Sequence, residues 1–382
     1  MTPFMLIGDG PQESSGLGRI ARDLGALITS SDLPVDFVQV GGGVPPVWPN
    51  WRHYPLDRSD DWGARCTIGL WDSIFGKQPG ILMICWDPGR LAAFRDIPLP
   101  VQKWAYTAID STNQNGSIGG PAGVAIEEFD QILAYGRWAS TVLRTLRPNV
   151  SYLPHGLNLA VYRTPPTVEE ANWVREQLGP YLAPGHTLIG CVATNQWRKD
   201  LGLYFATLAE LRKRGRKVYG WLHTDTLIKS WSVQQLVDDF RLSRQITVTL
   251  HHYTDRQLAL LYQACDATIA PGLGEGFGYP IVESLASGTL VVHGDFGGGV
   301  ELVPKVEWRF PVKAMRLESV YALKRPVFDA IDVANAVERA LAWRDAVGIE
   351  TARAYCRGAV AHLDWASLWP RWYSWIKRGL NG

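Results

Sequence analysis

Short apolar runs alternate with helical patterns along the whole chain, and this alternation restricts the fold more than any other feature. In the first half, strand-like runs occur at residues 3–8, 35–40, 80–86, 102–109, 131–135 and 150–154. In the second half they occur at 187–193, 217–222, 246–250, 266–270 and 289–293. Helical patterns are found at 16–30, 137–147, 201–214, 232–241, 255–264, 279–287 and 332–347. Strands that alternate with helices in this way predict parallel βαβ units.

The length of the chain predicts two such domains. Its 382 residues exceed what one hydrophobic core usually organises. Residues 156–184 contain Pro165-Pro166 and a charged helical segment, which is typical of an interdomain connection. We therefore expect an α/β protein of two doubly wound, Rossmann-like domains facing across a cleft. The first comprises residues 1–155 and the second residues 156–363.

Composition narrows the function classes. The five cysteines are widely spaced, without the spacing of a zinc or redox site, which indicates reduced core residues in a cytoplasmic protein. No apolar run reaches the roughly 20 residues that a membrane-spanning helix needs. Residues 1–155 carry 12 Lys and Arg against 15 Asp and Glu. That acidic surplus argues against a polyanion-binding surface in the first half.

The most informative stretch is EGFGYPIVESLASG, residues 275–288. It follows the apolar strand at 266–270, so it lies at the carboxyl end of a strand, where open α/β sheets bind ligands. Gly276 and Gly278 allow close approach of the backbone to a ligand and positive φ. Pro280 suits the first turn of the next helix, whose free N–H groups favour an anion. Glu275 in the loop and Glu283 on the helix are expected to reach different ends of one extended ligand.

The pair Glu275 and Glu283, with seven residues between them, resembles the paired-glutamate motif of retaining GT-B glycosyltransferases. This is the clan of glycogen synthases and phosphatidylinositol mannosyltransferases, the group 1 glycosyltransferases. The resemblance implies that Glu275 contacts hydroxyls of the donor sugar and that Glu283 holds the nucleotide ribose. It also assigns the neighbouring loop to the donor, together with one tyrosine of the second half, so that the donor-binding set includes Gly276, Phe277, Gly278, Tyr279 and Tyr253.

Three further segments carry the same resemblance. Gly16-Leu17-Gly18-Arg19, after the first strand, resembles the clan's N-terminal glycine-rich loop, which faces the donor phosphate and the acceptor. Pro154-His155-Gly156 resembles the segment where the chain crosses between domains, so His155 is expected to line the cleft or act in a hinge. Asp364-Trp365-Ala366-Ser367 resembles the entry to a terminal helix, here 364–380, that packs back on the first domain.

The terminal helix has a competing interpretation. Its four tryptophans, Trp365, Trp369, Trp372 and Trp375, share one helical face, and basic residues follow them. An amphipathic helix of this kind also suits a membrane surface. Packing on the first domain is favoured because the segment already matches an element of the clan, and Pro370 is expected to kink it.

Arg198-Lys199-Asp200 opens the helix after the strand at 187–193. Two cations beside a helix N-terminus suit a diphosphate, whereas a solvated helix start is the competing interpretation. The clan usually has an arginine five residues before the lysine, where this chain has Thr194. Arg198 is therefore expected to supply the guanidinium from a shifted position.

The chain has no Asp-x-Asp triplet of the kind that holds Mn²⁺ or Mg²⁺ in the other major transferase fold. We therefore expect no metal and no cofactor, with Arg198 and Lys199 stabilising the departing diphosphate of a UDP- or GDP-sugar. In the clan, retention is usually explained by front-face attack of the acceptor hydroxyl, without an enzymic nucleophile. Asp110, expected at the end of the strand at 102–109, is a candidate acceptor contact, or else a turn cap.

The sequence does not identify the acceptor. Aromatic planes suit sugar rings and bases, and the first half contains Trp48, Trp51, Trp62, Trp71, Trp86, Trp104 and Trp138. We expect a saccharide or another small molecule. A hydroxylated base in DNA is also compatible, as for some phage enzymes of this architecture, although the acidic first half counts against it. The same fold would also suit a non-catalytic nucleotide-sugar-binding protein, or an epimerase that hydrolyses the donor without an acceptor.

Overall fold

The computed structural model describes residues 1–13, 15–42, 49–56, 60–318 and 322–381. Two compact units divide the chain. Residues Met1–His155 and Ala366–Gly382 form the first unit, and residues Gly156–Trp365 form the second. Among the described residues, no helix is long and apolar enough to cross a membrane.

The first unit is built on a parallel sheet of seven strands in the order β3-β2-β1-β4-β5-β6-β7. Its strands are β1 (Thr2–Gly8), β2 (Val35–Gly42), β3 (Arg52–Leu56), β4 (Gly80–Cys85), β5 (Val101–Thr107), β6 (Gln131–Ala134) and β7 (Val150–Tyr152). Its helices are α1 (Gly16–Thr29), α2 (Ala64–Phe75), α3 (Pro88–Leu91), α4 (Gly120–Glu127) and α5 (Arg137–Leu143). The central strands β1 and β4 are apolar and almost wholly buried, because helices cover both faces of such a sheet.

The second unit contains a parallel sheet of six strands in the order β10-β9-β8-β11-β12-β13 and a separate antiparallel hairpin, β14-β15. Its helices are α6 (Leu159–Arg163), α7 (Val168–Leu178), α8 (Leu201–Lys213), α9 (Val233–Asp239), α10 (Asp255–Ala264), α11 (Tyr279–Ser287), α12 (Ala330–Val347) and α13 (Ile349–Ala359). Its strands are β8 (Thr187–Val192), β9 (Val218–His223), β10 (Ile246–Thr249), β11 (Ala267–Ala270), β12 (Leu290–Gly294), β13 (Arg309–Phe310), β14 (Ala314–Leu317) and β15 (Lys324–Val327). These two parallel-sheet units confirm the predicted fold class.

The order of the strands reverses once in each sheet. In the first sheet the chain runs outward from β1 through β2 and β3, then returns to β4 on the other side of β1. In the second sheet it runs from β8 through β9 and β10, then returns to β11 on the other side of β8. Loops leaving the carboxyl ends of two such neighbouring strands diverge and leave a crevice, so ligands bind there.

The segment expected to connect the domains is ordered structure of the second unit. It contains α6 and α7, and α7 begins with a capping box of Thr167 and Glu170. The Arg256 guanidinium donates to Glu170 and to the carbonyl of Pro165, at 2.6 and 2.9 Å. Its proximity lowers the pKa of Glu170 to about 2. Pro165 and Pro166 therefore lie in a loop that Arg256 holds to α10.

Several elements were not predicted, each for a local reason. Strand β3 contains Pro55, which lacks a backbone N–H and is tolerated because β3 lies at the sheet edge. Helix α4 begins with Gly-Pro and contains another glycine, which is the composition of a loop. Helix α13 buries only the small side chains Ala352 and Cys356, and it begins directly after Gly348, which ends α12.

The terminal helix α14 (Trp365–Gly379) contains Pro370 and packs against the first sheet. The indoles of Trp372 and Trp375 are buried. The Trp372 N–H donates to the carbonyl of Pro154 at 2.9 Å, and the Trp375 ring packs edge-on against Trp104 at 4.3 Å between centroids. Because these two rings are buried within the unit, this tryptophan face is not available to a membrane.

We predict that Trp372→Ala lowers the free energy of unfolding of the first unit by about 3–5 kcal/mol, because a fully buried indole leaves a cavity. Trp369→Ala, at a half-buried position of the same helix, should cost clearly less. Hydrogen exchange of the β4 and β5 amides in increasing urea measures the first unit separately. Equal losses in the two variants would contradict the anchoring role of Trp372.

Candidate active site

Two loops meet at the reversal point of the second sheet. One leaves β8 and runs through residues 193–200 to α8, and the other leaves β11 and runs through residues 271–278 to α11. The backbone ties them together, since the N–H of Leu273 donates to the carbonyl of Arg198 at 2.7 Å. The Arg198 guanidinium in turn donates to the carbonyl of Gly274 at 3.1 Å. Arg198 therefore lies at the junction of the loops that the strand order brings together.

A buried ion pair closes the same junction. The Lys199 ammonium donates to both carboxylate oxygens of Glu275, at 2.6 and 2.8 Å, with side-chain exposures of 12% and 10%. Burial by itself raises the pKa of Glu275, but the charges of Lys199 and Arg198 more than offset it and lower that pKa below its ordinary value. The carboxylate is therefore ionised at neutral pH. The predicted sugar-binding glutamate and one predicted phosphate-binding cation thus contact each other directly.

The second glutamate of the motif is held by two tyrosines. Glu283 lies on α11 and is only 3% exposed. It accepts hydrogen bonds from the hydroxyls of Tyr262 at 2.9 Å and Tyr162 at 3.4 Å. These two donors fix the orientation of the carboxylate. Neither tyrosine was predicted, because Tyr162 lies 121 residues away in sequence and no local pattern links it to the motif.

The entry into α11 follows the predicted geometry at Gly278 and Pro280, whereas Gly276 does not have the positive φ that was expected. Gly278 has a φ of 97° at the N-cap, and Pro280 lies in the first turn. A side chain at Gly278 would be strained at that φ, so glycine is required there. The rings of Phe277 and Tyr279 pack edge-on at 5.2 Å, and Gly276 is half-buried beside them. In the first turn of this nine-residue helix Pro280 has no backbone N–H, and the N–H groups of Ile281 and Val282 donate to the Gly278 carbonyl at 2.9 and 3.2 Å.

A buried histidine that the sequence did not predict contacts the end of β11, just before this loop. His293 lies in β12, is fully buried and donates through Nδ1 to the carbonyl of Ala270 at 2.7 Å. Burial lowers its pKa, so the imidazole is neutral, and Nε2 has no hydrogen-bond partner among the described residues. The sequence could have indicated His293, because it is the one polar side chain in the apolar strand LVVHG.

Tyr253 lies in the loop after β10, at the carboxyl edge of the same sheet but three strands from β11. Its hydroxyl donates to Gln177 at 2.7 Å, and its ring stacks on His223 at 5.0 Å. The structure therefore brings together Arg198, Lys199, Glu275 and, on the following helix, Glu283. Tyr253 lies at the edge of that group, and its role in donor binding stays a prediction.

The predicted residues of the first unit lie at the carboxyl edge of its sheet. Gly16 begins α1, and a Cβ at Gly18 would collide with the carbonyl of Glu13, so the tight turn requires glycine there. Asp110 is half-buried in the loop after β5. His155 is buried, and its Nδ1 lies 2.8 Å from the Tyr106 hydroxyl. Burial, with the charge of Arg19, holds the pKa of His155 well below its ordinary value. Trp48 lies outside the described residues.

Residues 230–314 match the model of the family described as glycosyl transferases group 1. Over 158 residues the chain is 30% identical to D-inositol 3-phosphate glycosyltransferase of Nocardia farcinica, covering 40% of this chain and 34% of that protein. Over 160 residues it is 27% identical to the lipopolysaccharide core biosynthesis mannosyltransferase LpcC of Rhizobium leguminosarum, covering 40% and 42%. The chain thus spans less than half the length of the curated relatives it matches.

Solved structures with this fold match along the whole chain. Sucrose-phosphate synthase of Thermosynechococcus elongatus superposes with a TM-score of 0.78 at 16% identity, covering 100% of both chains. HepE of Anabaena, solved with UDP and glucose, superposes with a TM-score of 0.73 at 13% identity, covering 98% and 99%. The chain has the GT-B fold of these structures. The reversal point of its second sheet is therefore the candidate active site within that fold.

We predict that Lys199→Met destabilises the second unit of this GT-B protein by about 3–5 kcal/mol at pH 7, because it leaves Glu275 buried and unpaired. Lys199→Met with Glu275→Gln should recover most of that loss. The deficit of the single variant should shrink toward pH 4, because Glu275 accepts a proton more readily once Lys199 is gone. Urea unfolding at several pH values measures it.

In the parent protein the lowered pKa of Glu275 makes the stability depend on pH. The stability that the ionised carboxylate contributes is fully present above its pKa in the unfolded chain. It is lost as pH falls through its lower pKa in the folded chain. Lys229→Met, at the exposed pair with Asp225 in the same unit, is the control and should change stability little. If Lys199→Met and Lys229→Met behave alike, the buried pair does not hold the loops.

Proposed function

We propose that the chain is a retaining glycosyltransferase that moves a hexose from a UDP- or GDP-sugar to an acceptor hydroxyl without a metal or another cofactor. The observation that carries the proposal is the buried pair of Lys199 and Glu275 at the reversal point between β8 and β11. A carboxylate and cations meet where a parallel sheet binds nucleotides, and a second buried carboxylate lies on the next helix. Within the described part of the chain the five cysteines form no disulfide, which agrees with a cytoplasmic protein.

Each end of a sugar nucleotide has a matching group in the second unit. Glu283 offers acceptor oxygens for the ribose hydroxyls, oriented by its two tyrosines. We assign the diphosphate to the N-terminal end of α11, where the helix dipole favours an anion. Glu275 offers acceptor oxygens for hydroxyls of the sugar. In this arrangement the donor extends from the helix to the loop across the β11 edge.

Departure of the diphosphate is the step that needs stabilisation. Negative charge grows on the leaving oxygen as the glycosidic bond breaks, and Arg198 with Lys199 supplies fixed positive charge beside it. Because Glu275 is engaged with that ammonium, we assign it to sugar binding and not to covalent catalysis.

The acceptor is proposed to be a saccharide or another small molecule that binds the first unit. Asp110, in the loop after β5, is the proposed contact for its hydroxyl. HepE was solved with UDP-glucose, and D-inositol 3-phosphate glycosyltransferase is named for a small acceptor. Both agree with a nucleotide-sugar donor and a small acceptor here.

We predict that one of a panel of UDP-, GDP- and ADP-sugars raises the melting temperature, because ligand that binds only the folded state stabilises it. Glu283→Gln should weaken binding of the matching nucleoside diphosphate by about 1–3 kcal/mol, measured by calorimetry, because a charge-assisted hydrogen bond to the ribose is lost. Glu338→Gln, at the surface pair with Arg214 in the same unit, is the control. Unchanged affinity in Glu283→Gln would remove the ribose assignment.

We further predict that EDTA leaves transfer intact and that an α-linked donor gives an α-linked product. The first expectation follows from the missing Asp-x-Asp triplet and from the cations Arg198 and Lys199. The second follows from the paired glutamates. The anomeric proton coupling in the NMR spectrum gives the configuration of the product. Loss of activity in EDTA with rescue by Mn²⁺ contradicts the first half, and a β-linked product contradicts the second.

A further inference from the structure

The reversal point of the first sheet holds a cluster of one arginine and two tryptophans. Trp86 directly follows β4, Arg90 lies on α3 and Trp62 lies in the turn before α2. The Arg90 guanidinium carbon is 4.0 Å from the centroid of the Trp62 ring and 4.6 Å from that of the Trp86 ring. The two rings meet at 65° with 5.9 Å between centroids. One guanidinium is thus stacked against two indoles at the place where this sheet is expected to bind a ligand.

Trp86 is fixed in place, yet its polar atom is unused. The residue is fully buried, and its carbonyl accepts a hydrogen bond from the Thr107 hydroxyl at 2.8 Å. Its indole N–H has no hydrogen-bond partner among the described residues. A buried N–H without a partner destabilises the folded state unless a ligand supplies an acceptor.

Arg90 is the second unused donor. Its side chain is half-buried, and within the described part of the chain its guanidinium forms neither a hydrogen bond nor an ion pair. The carboxylates of Asp9 and Asp87 are close enough to act on the Cys85 thiol, but neither pairs with Arg90. The Asp9 carboxylate accepts a hydrogen bond from Ser15 instead. Stacking on the indoles stabilises the cation in part and leaves its charge unneutralised.

The geometry decides what kind of ligand fits. The guanidinium lies over both rings, so these ring faces are not open for a sugar to stack on. A stacked guanidinium keeps its in-plane N–H groups free, and their forked arrangement matches the oxygens of a phosphate or a carboxylate. Trp86, one of the two rings that the guanidinium contacts, carries a further N–H donor without an acceptor among the described residues. N–H donors that lack acceptors, next to a single positive charge, favour a small anion as the ligand.

We propose that Arg90, Trp86 and Trp62 form a subsite for an anionic group, phosphate or carboxylate, carried by the acceptor. This rests on the proposed function, since it names the class of acceptor that the transferase uses. The acceptor is then a small phosphorylated or carboxylated molecule. A polyanion such as DNA needs many cations, whereas the first unit carries 15 Lys and Arg against 15 Asp and Glu.

The test uses the full chain saturated with the nucleoside diphosphate that it binds, which occupies Arg198 and Lys199. Calorimetry at low ionic strength then compares glucose, glucose 6-phosphate, glucuronate and inorganic phosphate. We expect the anions to bind at least about tenfold more tightly than glucose. Arg90→Gln should remove that difference, and Arg90→Lys should keep part of it. Arg95→Gln, at the exposed pair with Asp96 just after α3, is the matched control and should leave it unchanged.

The outcomes separate this inference from the proposed function. Equal anion affinities in the parent protein and in Arg90→Gln, when both variants bind nucleotide normally, overturn the anion subsite alone. Failure of every nucleotide to bind overturns the proposed function, while the anion titrations still report on Arg90. Tight binding of duplex DNA without any preference for the small anions overturns the subsite in favour of a polyanion. Loss of the anion preference in Arg90→Gln alone supports it.

Discussion

The ion pair between Lys199 and Glu275 is the interaction on which the second unit's ligand edge depends. Strand order alone only brings the loops after β8 and β11 side by side. The ammonium and the carboxylate, each about nine-tenths buried, then hold the side chains of those loops at 2.6 Å. Neither charge is tolerated in this position without the other, because an unpaired buried ion costs several kcal/mol. Through this ion pair, each loop depends on the other loop for its position.

This arrangement explains why binding groups lie in a region that is so well buried. In the proposed function a carboxylate that receives sugar hydroxyls needs a fixed direction, and the two hydrogen bonds from Lys199 give Glu275 one. Tyr262 and Tyr162 do the same for Glu283 with neutral donors. His293 braces the loop from β12 through the carbonyl of Ala270. Groups oriented before the ligand arrives need no reorganisation when charge develops, which is the condition for electrostatic catalysis.

The fold and the central motif were predictable because their signals are local. Apolar runs of strand length, the glycines and proline of residues 275–288, and the helix start at Arg198-Lys199 all lie within short windows of sequence. Long-range partners were not predictable. Tyr162 approaches Glu283 only because α6 packs near α11, and Arg90 approaches Trp62 only because the turn before α2 folds over α3. Nothing in the spacing of these residues encodes those contacts. Strand β3 was missed because its proline is acceptable only at an edge, and edge position is itself a tertiary fact.

Comparison of the two reversal points shows what distinguishes them chemically. In the second sheet the buried cation Lys199 already has its carboxylate, and a substrate must share both groups. In the first sheet the cation Arg90 has two aromatic rings and no carboxylate, and the buried Trp86 N–H likewise has no acceptor among the described residues. A folded protein satisfies nearly all of its buried polar groups, so a charge and an N–H left without acceptors at a sheet's ligand edge require a reason. Structural stability does not supply one, since an apolar side chain in place of Arg90 would pack on the same rings without a charge to solvate. Recognition of an anion supplies that reason, because acceptor oxygens are what both donors lack.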